Sequence, residues 1–304
     1  MTQFNRSGEQ FFPFGYPGID LYSQGGREDT KAAESGLYYR SRVAPDLSQA
    51  IDKCLDGTSS FADMSFDALQ AWNESAWKVP HGTLAASTRF ADKLGEELDE
   101  AEQALEEFRD TRDNRHLIEE IGDVGWGINA LASNGRAVIS DSLKDRVYSY
   151  LTGTRIYTES GSFDYPDWYD EAAKFVVRRG PLNIGDVDAL VGAGFVPQHS
   201  PVMNLYEPEK ISPTHELCWN FKFYIPALRS LNEQLHGSET YIPHDNGEHI
   251  SHEIGKIAAE ATLRIAAIAH YAGSSFEEVV SLNIAKINNR ITLNIIDKSD
   301  GERT

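Results

Sequence analysis

Between residues 87 and 110 the apolar side chains fall at Phe90, Leu94, Leu98, Ala101, Leu105 and Phe108, in steps of four and three. That spacing draws one stripe down an α-helix and cannot line one face of a strand. It predicts a helix from Ser87 to Asp110. After a polar turn over 110–114, Leu117, Ile121, Val124, Ile128 and Leu131 repeat the pattern and predict a second helix, His116 to Ser133, closed by Asn134-Gly135. Ser65 is placed to cap a preceding helix, Phe66 to Trp77. Further helices are expected at Asp46–Leu55, Ser140–Leu151, Asp167–Arg179, Ile184–Val191, His215–Leu235, His249–Ala272 and Phe276–Leu293. Strand patterns are few, so the fold class is all-α. The segment Val196 to Ser212 holds three prolines and reads as a loop.

Residues 1–63 differ. They are rich in Gly, Pro and aromatics, as in Phe11-Phe12-Pro13-Phe14-Gly15-Tyr16-Pro17-Gly18, and read as an irregular extension docked on the core. The aromatic run to Tyr22 suits interface or core filling, or a cover for a bound ring. A diverged repeat divides the rest. Asp67-Ala-Leu-Gln-Ala-Trp-Asn-Glu resembles Asp167-Trp-Tyr-Asp-Glu-Ala-Ala-Lys, and the helix–Gly–helix unit at Gly135 recurs at Gly273. The expected domains are the extension (1–63), a first four-helix unit (64–155) and a degenerate second unit with insertions (156–304).

The net charge of −19 argues against a nucleic-acid polymer or an anionic membrane surface as partner. A phosphate-bearing substrate fits only with cations to screen it. Two cysteines, Cys54 and Cys218, give no disulfide framework and no thiolate metal site. No signal peptide or bilayer-length apolar run is read, so the expected location is cytoplasmic.

Two acidic clusters sit on the two striped helices: Glu96-Glu97-Leu98-Asp99-Glu100, then Glu119-Glu120-Ile121-Gly122-Asp123. On a helical wheel Glu97 and Glu100 flank the first stripe, with Glu96 just beyond, and Glu120 and Asp123 flank the second. Carboxylates at such a seam repel one another unless a cation bridges them, and hard divalent ions take oxygen ligands. The plainer reading is a solvated acidic face, since Asp99, Glu102, Glu106 and Glu107 share the first helix.

Glu96-Glu97-x-x-Glu100, nineteen residues, then Glu120-x-x-Asp123 resembles the signature of the all-α nucleoside triphosphate pyrophosphohydrolases, the MazG-like superfamily. The surroundings agree. Met64-Ser-Phe-Asp-Ala-Leu-Gln-Ala-Trp is similar to that family's opening helix. Lys93-Leu-Gly-Glu-Glu-Leu is similar to its first acidic helix, and Glu119-Glu-Ile-Gly-Asp-Val-Gly-Trp to its second. The run Gly273 to Arg290 is similar to its closing segment. Residues 1–63 and most of 153–245 carry no such likeness.

The resemblance implies tandem MazG-like units, the second degenerate, forming a pseudo-dimer within one chain; further homo-oligomerisation stays open. It implies Mg²⁺, with Mn²⁺ as the alternative ion, held by Glu97, Glu100, Glu120 and Asp123. Glu96 would serve as ligand or water-orienting base. Lys93, Asn283, Lys286 and Arg290 would be substrate contacts, the last three alternatively a solvated cationic helix end. The implied reaction cuts a nucleoside triphosphate, non-standard or deoxy, into a monophosphate and pyrophosphate. Arg146 and Ser149 stand in the first unit where Asn283 and Lys286 stand in the second, and the second unit lacks Glu-x-x-Asp, so one working acid cluster is expected. The rival functions are a catalytically weak nucleotide sensor or scaffold on the same fold, and a plain acidic interaction module.

Other motifs carry less. His244, His249, His252 and Glu253 cluster near a helix start and could hold a transition metal, or simply be exposed. Gly192-Ala-Gly194 is too short for a phosphate loop, and no nucleophile elbow is present. Gly122, Gly125 and Gly127 weaken their helix by about 0.5–1 kcal/mol each relative to Ala. Packing is the favoured reason for Gly122; ligand room stays open for the others.

Overall fold

The computed structural model describes residues 47–77, 81–153, 167–197, 213–237 and 244–292. Among these the chain forms ten α-helices, one 3-10 turn (Phe61–Asp63) and no strand. In chain order the helices are α1 (Leu47–Leu55), α2 (Phe66–Ala76), α3 (Leu84–Thr111), α4 (Arg115–Asn134), α5 (Ile139–Gly153), α6 (Tyr169–Val177), α7 (Ile184–Gly192), α8 (Pro213–His236), α9 (His244–Tyr271) and α10 (Phe276–Thr292). None is long and apolar enough to cross a membrane. Residues 1–46 with the Phe11–Tyr22 run, most of the 196–212 segment and the 297–304 tail lie outside the described residues.

Local chemistry sets the ends. The Ser65 hydroxyl accepts from Ala68 N–H at 3.1 Å and starts α2. Helix α3 begins three residues earlier than its stripe predicts, because the Thr83 hydroxyl accepts from Ala86 N–H at 3.1 Å. It stops at Arg112, whose left-handed backbone (φ 63°) directs its N–H to Phe108 O at 2.8 Å. At the end of α4 the left-handed residue is Arg136 (φ 60°), not Gly135. Gly135 serves packing instead: a Cβ there would stand 2.4 Å from Ile254 Cδ1 on α9.

The stripes bury as expected. Phe90, Leu94, Leu98, Ala101, Leu105 and Phe108 of α3, and Leu117, Ile121, Val124, Ile128 and Leu131 of α4, are all buried in one continuous core. At about 25 cal/mol per Å² of apolar surface, this burial is the main favourable term holding the helices together.

The helices then exchange partners. Helix α3 packs on α4, and α8 on α9; α8 also lies along α3, and α9 along α4. Helix α10 crosses to α4, while α5 crosses to α9. A reciprocal pair of backbone bonds joins the starts of α2 and α7: Phe66 N–H to Leu182 O at 2.8 Å, and Ile184 N–H to Met64 O at 2.9 Å. The segment facing α2 across this two-fold-like exchange is therefore Asn183–Ile184. The Asp167 stretch, which the sequence likeness matched to Asp67, leads instead into α6, a helix packed on α5 and α7.

Candidate metal centre

Three side chains from two helices converge. Glu97 of α3 and Glu120 and Asp123 of α4 each place a carboxylate oxygen within 4.8 Å of the others. All three are buried, at 7, 8 and 8 % exposure. The antiparallel α3–α4 packing makes this meeting: Glu97 flanks one stripe, and Glu120 with Asp123, one turn apart, flanks the facing one. The third wall comes from far along the chain. On α10, Asn283 donates from Nδ2 to Asp123 Oδ1 at 2.6 Å, and Lys286 Nζ bonds Asp123 Oδ2.

Gly122 permits that approach. A Cβ at this position would lie 3.2 Å from Asn283 Cβ and 3.3 Å from Val279 O, so α10 could not sit as close. Gly127 likewise admits Leu94 of α3, whose Cδ1 would stand 3.0 Å from an added Cβ. Packing is thus the role of both.

The electrostatics are those of a crowded, buried anionic site. Burial pushes the Asp123 carboxyl above the ordinary range, with Lys286 pulling the other way. Burial also raises Glu120; Lys286 opposes this, while Asp123, Glu100 and Glu97 add repulsion. Glu97 Oε2 and Glu120 Oε2 are buried without a hydrogen-bond partner. Leaving such oxygens unsatisfied is costly, and a hard cation with oxygen ligands would satisfy both. The donor set fits Mg²⁺ or Mn²⁺ and lacks the thiolate or imidazole majority that Zn²⁺ prefers.

The remaining expected site residues stand around this centre. Lys93 pairs with Glu97 Oε1 at 2.7 Å and with Glu96 at 3.3 Å. Glu96 is exposed and outside the converging group. Glu100 is also exposed and outside it, at the rim, close enough for its charge to raise Glu120. Arg290 is exposed, and its charge favours ionised Asp123. His116 was missed by sequence reasoning. Its Nε2 lies 3.4 Å from Glu120 Oε1 and its Nδ1 2.8 Å from Glu107 Oε2; the i, i+4 spacing to Glu120 was the available signal. His249 and His252 are exposed, and Glu253 pairs with Lys256 at 2.7 Å. Among the described residues no second group of His, Cys, Asp or Glu comes close enough to hold a metal.

Arg146 goes elsewhere. Its Nε lies 2.5 Å from Glu260 Oε2, and Arg264 Nη2 lies 2.8 Å from Glu260 Oε1. The Tyr150 hydroxyl is 3.0 Å from both Glu260 oxygens, and Arg264 Nε donates to the Tyr224 hydroxyl at 3.0 Å. Glu260 and Arg264 are both buried.

Compared with family models, with curated proteins and with solved structures, the chain matches none of them.

Proposed function

We propose that the protein is a metal-dependent nucleoside triphosphate pyrophosphohydrolase. The observation that carries this reading is the pair of buried, unpartnered carboxylate oxygens on Glu97 and Glu120, beside Asp123 and opposite a lysine and an asparagine from α10. A solvated acidic face has no reason to bury three carboxylates at one point. A phosphate-binding metal site has both halves of this arrangement: anionic ligands on one wall and cationic donors on the other.

In this reading Glu97, Glu120 and Asp123 hold Mg²⁺ or Mn²⁺, which when bound supplies charge neutralisation for the phosphate oxygens and a site for water. Asn283 fixes the Asp123 carboxylate through Oδ1, so the ligand cannot rotate away. Lys286, bonded to Asp123, and the exposed Arg290 four residues further along α10 supply positive charge to the departing pyrophosphate. Burial of the three acids keeps the local dielectric low, which strengthens each of these interactions. Water adds to the α-phosphorus, the α–β phosphoanhydride bond breaks, and the products are a nucleoside monophosphate and pyrophosphate. The resemblance of the acidic spacing to the MazG-like signature supports the same reaction.

The test is a nucleotide panel with Mg²⁺ and a pyrophosphate readout, on wild type and on Glu97→Gln/Asp123→Asn. Release by wild type that is lost in the double variant is expected. No release with any nucleotide, or equal release by both proteins, would overturn the reading.

A further inference from the structure

Glu97 and Glu120 face each other across the α3–α4 seam, and each is restrained in the same way. A basic side chain stands four residues before each acid on its own helix: Lys93 before Glu97, His116 before Glu120. Helical side chains lean towards the N-terminus, so a residue reaches the neighbour four positions back. Lys93 Nζ lies 2.7 Å from Glu97 Oε1, and His116 Nε2 lies 3.4 Å from Glu120 Oε1. Because the two helices run antiparallel, these contacts stand at opposite ends of the acid cluster. The His116 ring is also held from behind, with Nδ1 2.8 Å from Glu107 Oε2 near the end of α3. Lys93 has a second and longer contact, to the exposed Glu96 at 3.3 Å.

The two oxygens of each glutamate are thereby set apart. Oε1 of Glu97 and of Glu120 faces a basic group outside the cluster, whereas Oε2 of each is buried with no hydrogen-bond partner. On Asp123, Asn283 holds Oδ1 from outside and Lys286 meets Oδ2. A glutamate with one oxygen engaged offers a cation the other alone. Single-oxygen ligation suits a small ion in an octahedron of oxygens, such as Mg²⁺ or Mn²⁺. Ca²⁺ is larger, takes about six to eight oxygens, and often draws two of them from one carboxylate.

We propose that Lys93 and His116 are positioning residues that keep Glu97 and Glu120 as single-oxygen ligands, and that they thereby select Mg²⁺ or Mn²⁺ over Ca²⁺. The proposal rests on the acid cluster binding a divalent cation. It assigns Lys93 to the metal wall instead of to the substrate. Groups that orient metal ligands from outside change metal affinity by about 10–100-fold. Without its lysine, Glu97 can turn both oxygens to one ion, which helps Ca²⁺ and not the smaller ions. Loss of the lysine charge, by contrast, favours all divalent cations alike. The ratio of two affinities therefore separates positioning from charge.

The experiment measures Kd for Mn²⁺, from the paramagnetic resonance signal of the free ion, and for Ca²⁺ by competition. No nucleotide is present and the pH is fixed. Lys93→Met and His116→Leu remove the donor; Lys93→Arg and His116→Gln keep one. Melting in chelator checks that each variant folds. Wild type should bind Mn²⁺ more tightly than Ca²⁺. Lys93→Met should shrink that preference by about tenfold or more, and His116→Leu by less, as its longer contact implies. Lys93→Arg and His116→Gln should restore most of it. A preference unchanged in either donor-free variant would overturn the assignment of that residue. Both ions bound more tightly by the same factor in Lys93→Met would mean that the lysine acts by charge alone. An unchanged preference with a raised KM for nucleotide would make Lys93 a substrate contact, and would overturn its assignment too. Wild type that binds Mn²⁺ but releases no pyrophosphate would overturn the hydrolase reading, with the Mn²⁺ to Ca²⁺ preference still deciding this one. Wild type that binds neither ion would sink both.

Discussion

Asp123 lies eleven residues before the end of α4, and Glu260 lies eleven residues before the end of α9. Each is met by a residue seven positions into the helix that crosses over: Asn283 of α10 for Asp123, and Arg146 of α5 for Glu260. Around these two acids the neighbours differ in kind. Fourteen residues before the helix end stands Glu120 in α4 and Ile257 in α9; seven before it stands Gly127 in α4 and Arg264 in α9. Beside Asp123, then, a second acid is added and α3 brings a third. Beside Glu260 the second acid is gone, and Arg264 of the same helix joins Arg146 against the carboxylate. The three acids around Asp123 are met by Lys286 and Lys93, so carboxylates outnumber lysines there, whereas the single acid Glu260 has two guanidinium groups. What separates the acid-rich cluster from the arginine-paired one is the residue at two helical positions.

Matched substitutions of the two acids should give opposite results. Asp123→Asn removes a ligand and is expected to lower nucleotide turnover on the order of 10³-fold, the several kcal/mol a positioned metal supplies, while melting stays near wild type. Glu260→Gln leaves the buried Arg264 and the half-buried Arg146 without their anion. It should cost about 3 kcal/mol in denaturant unfolding, the low end for breaking a buried pair because the Arg146 side chain is 34 % exposed. Metal binding should survive it. A Glu260→Gln protein that keeps its stability but loses Mg²⁺ affinity would mean that the Glu260 cluster is part of the functional site.

A smaller effect is expected from Gly122→Ala. The added methyl would press on Asn283 Cβ and on Val279 O at 3.2 and 3.3 Å, so α10 must move out by a few tenths of an ångström. Overpacking of this kind costs about 1–3 kcal/mol, partly offset by the better helix propensity of alanine. The sharper readout is kinetic. Displacing Asn283 and Lys286 from Asp123 should lower kcat/KM about tenfold, whereas alanine at Gly125, whose methyl has ordinary room beside Ile265 Cδ1 at 3.4 Å, should leave Lys286 in place and pyrophosphate release intact.

The comparison also shows which features the sequence made legible. The stripes of α3 and α4 were readable because helix periodicity is local, and the seam positions of Glu97, Glu120 and Asp123 follow from the same wheel. The wheel also put Glu100 on the flank beside Glu97, yet only Glu97 reaches the seam with α4; how far a flank is covered depends on the neighbouring helix. The cap at Thr83 and the left-handed Arg136 were missed because each depends on one hydrogen bond or one dihedral angle. The fit of Arg146 to the Asn283 position was visible as a register match. Its partner Glu260 was not, since only the crossing of α5 onto α9 brings them together.

The last expected difference between the two acids is their response to pH, and it is the smallest. Burial raises the Asp123 and Glu120 carboxyls in the folded chain. Between the ordinary carboxylate range, about 4, and those raised values, the folded state holds more protons than the unfolded one. Stability therefore falls as pH rises through that window and is regained as pH drops back through it. In Asp123→Asn the proton uptake at that site is absent. With a chelator present, the wild type should thus gain stability relative to Asp123→Asn as pH is lowered from neutral towards the ordinary carboxylate range. Saturating Mg²⁺ should reduce or reverse that gain, because a bound cation favours the ionised form of the same oxygens. Parallel pH profiles for the two proteins in chelator would show that the Asp123 carboxyl is not protonated more readily on folding, and that burial there is fully offset by Lys286 and Asn283.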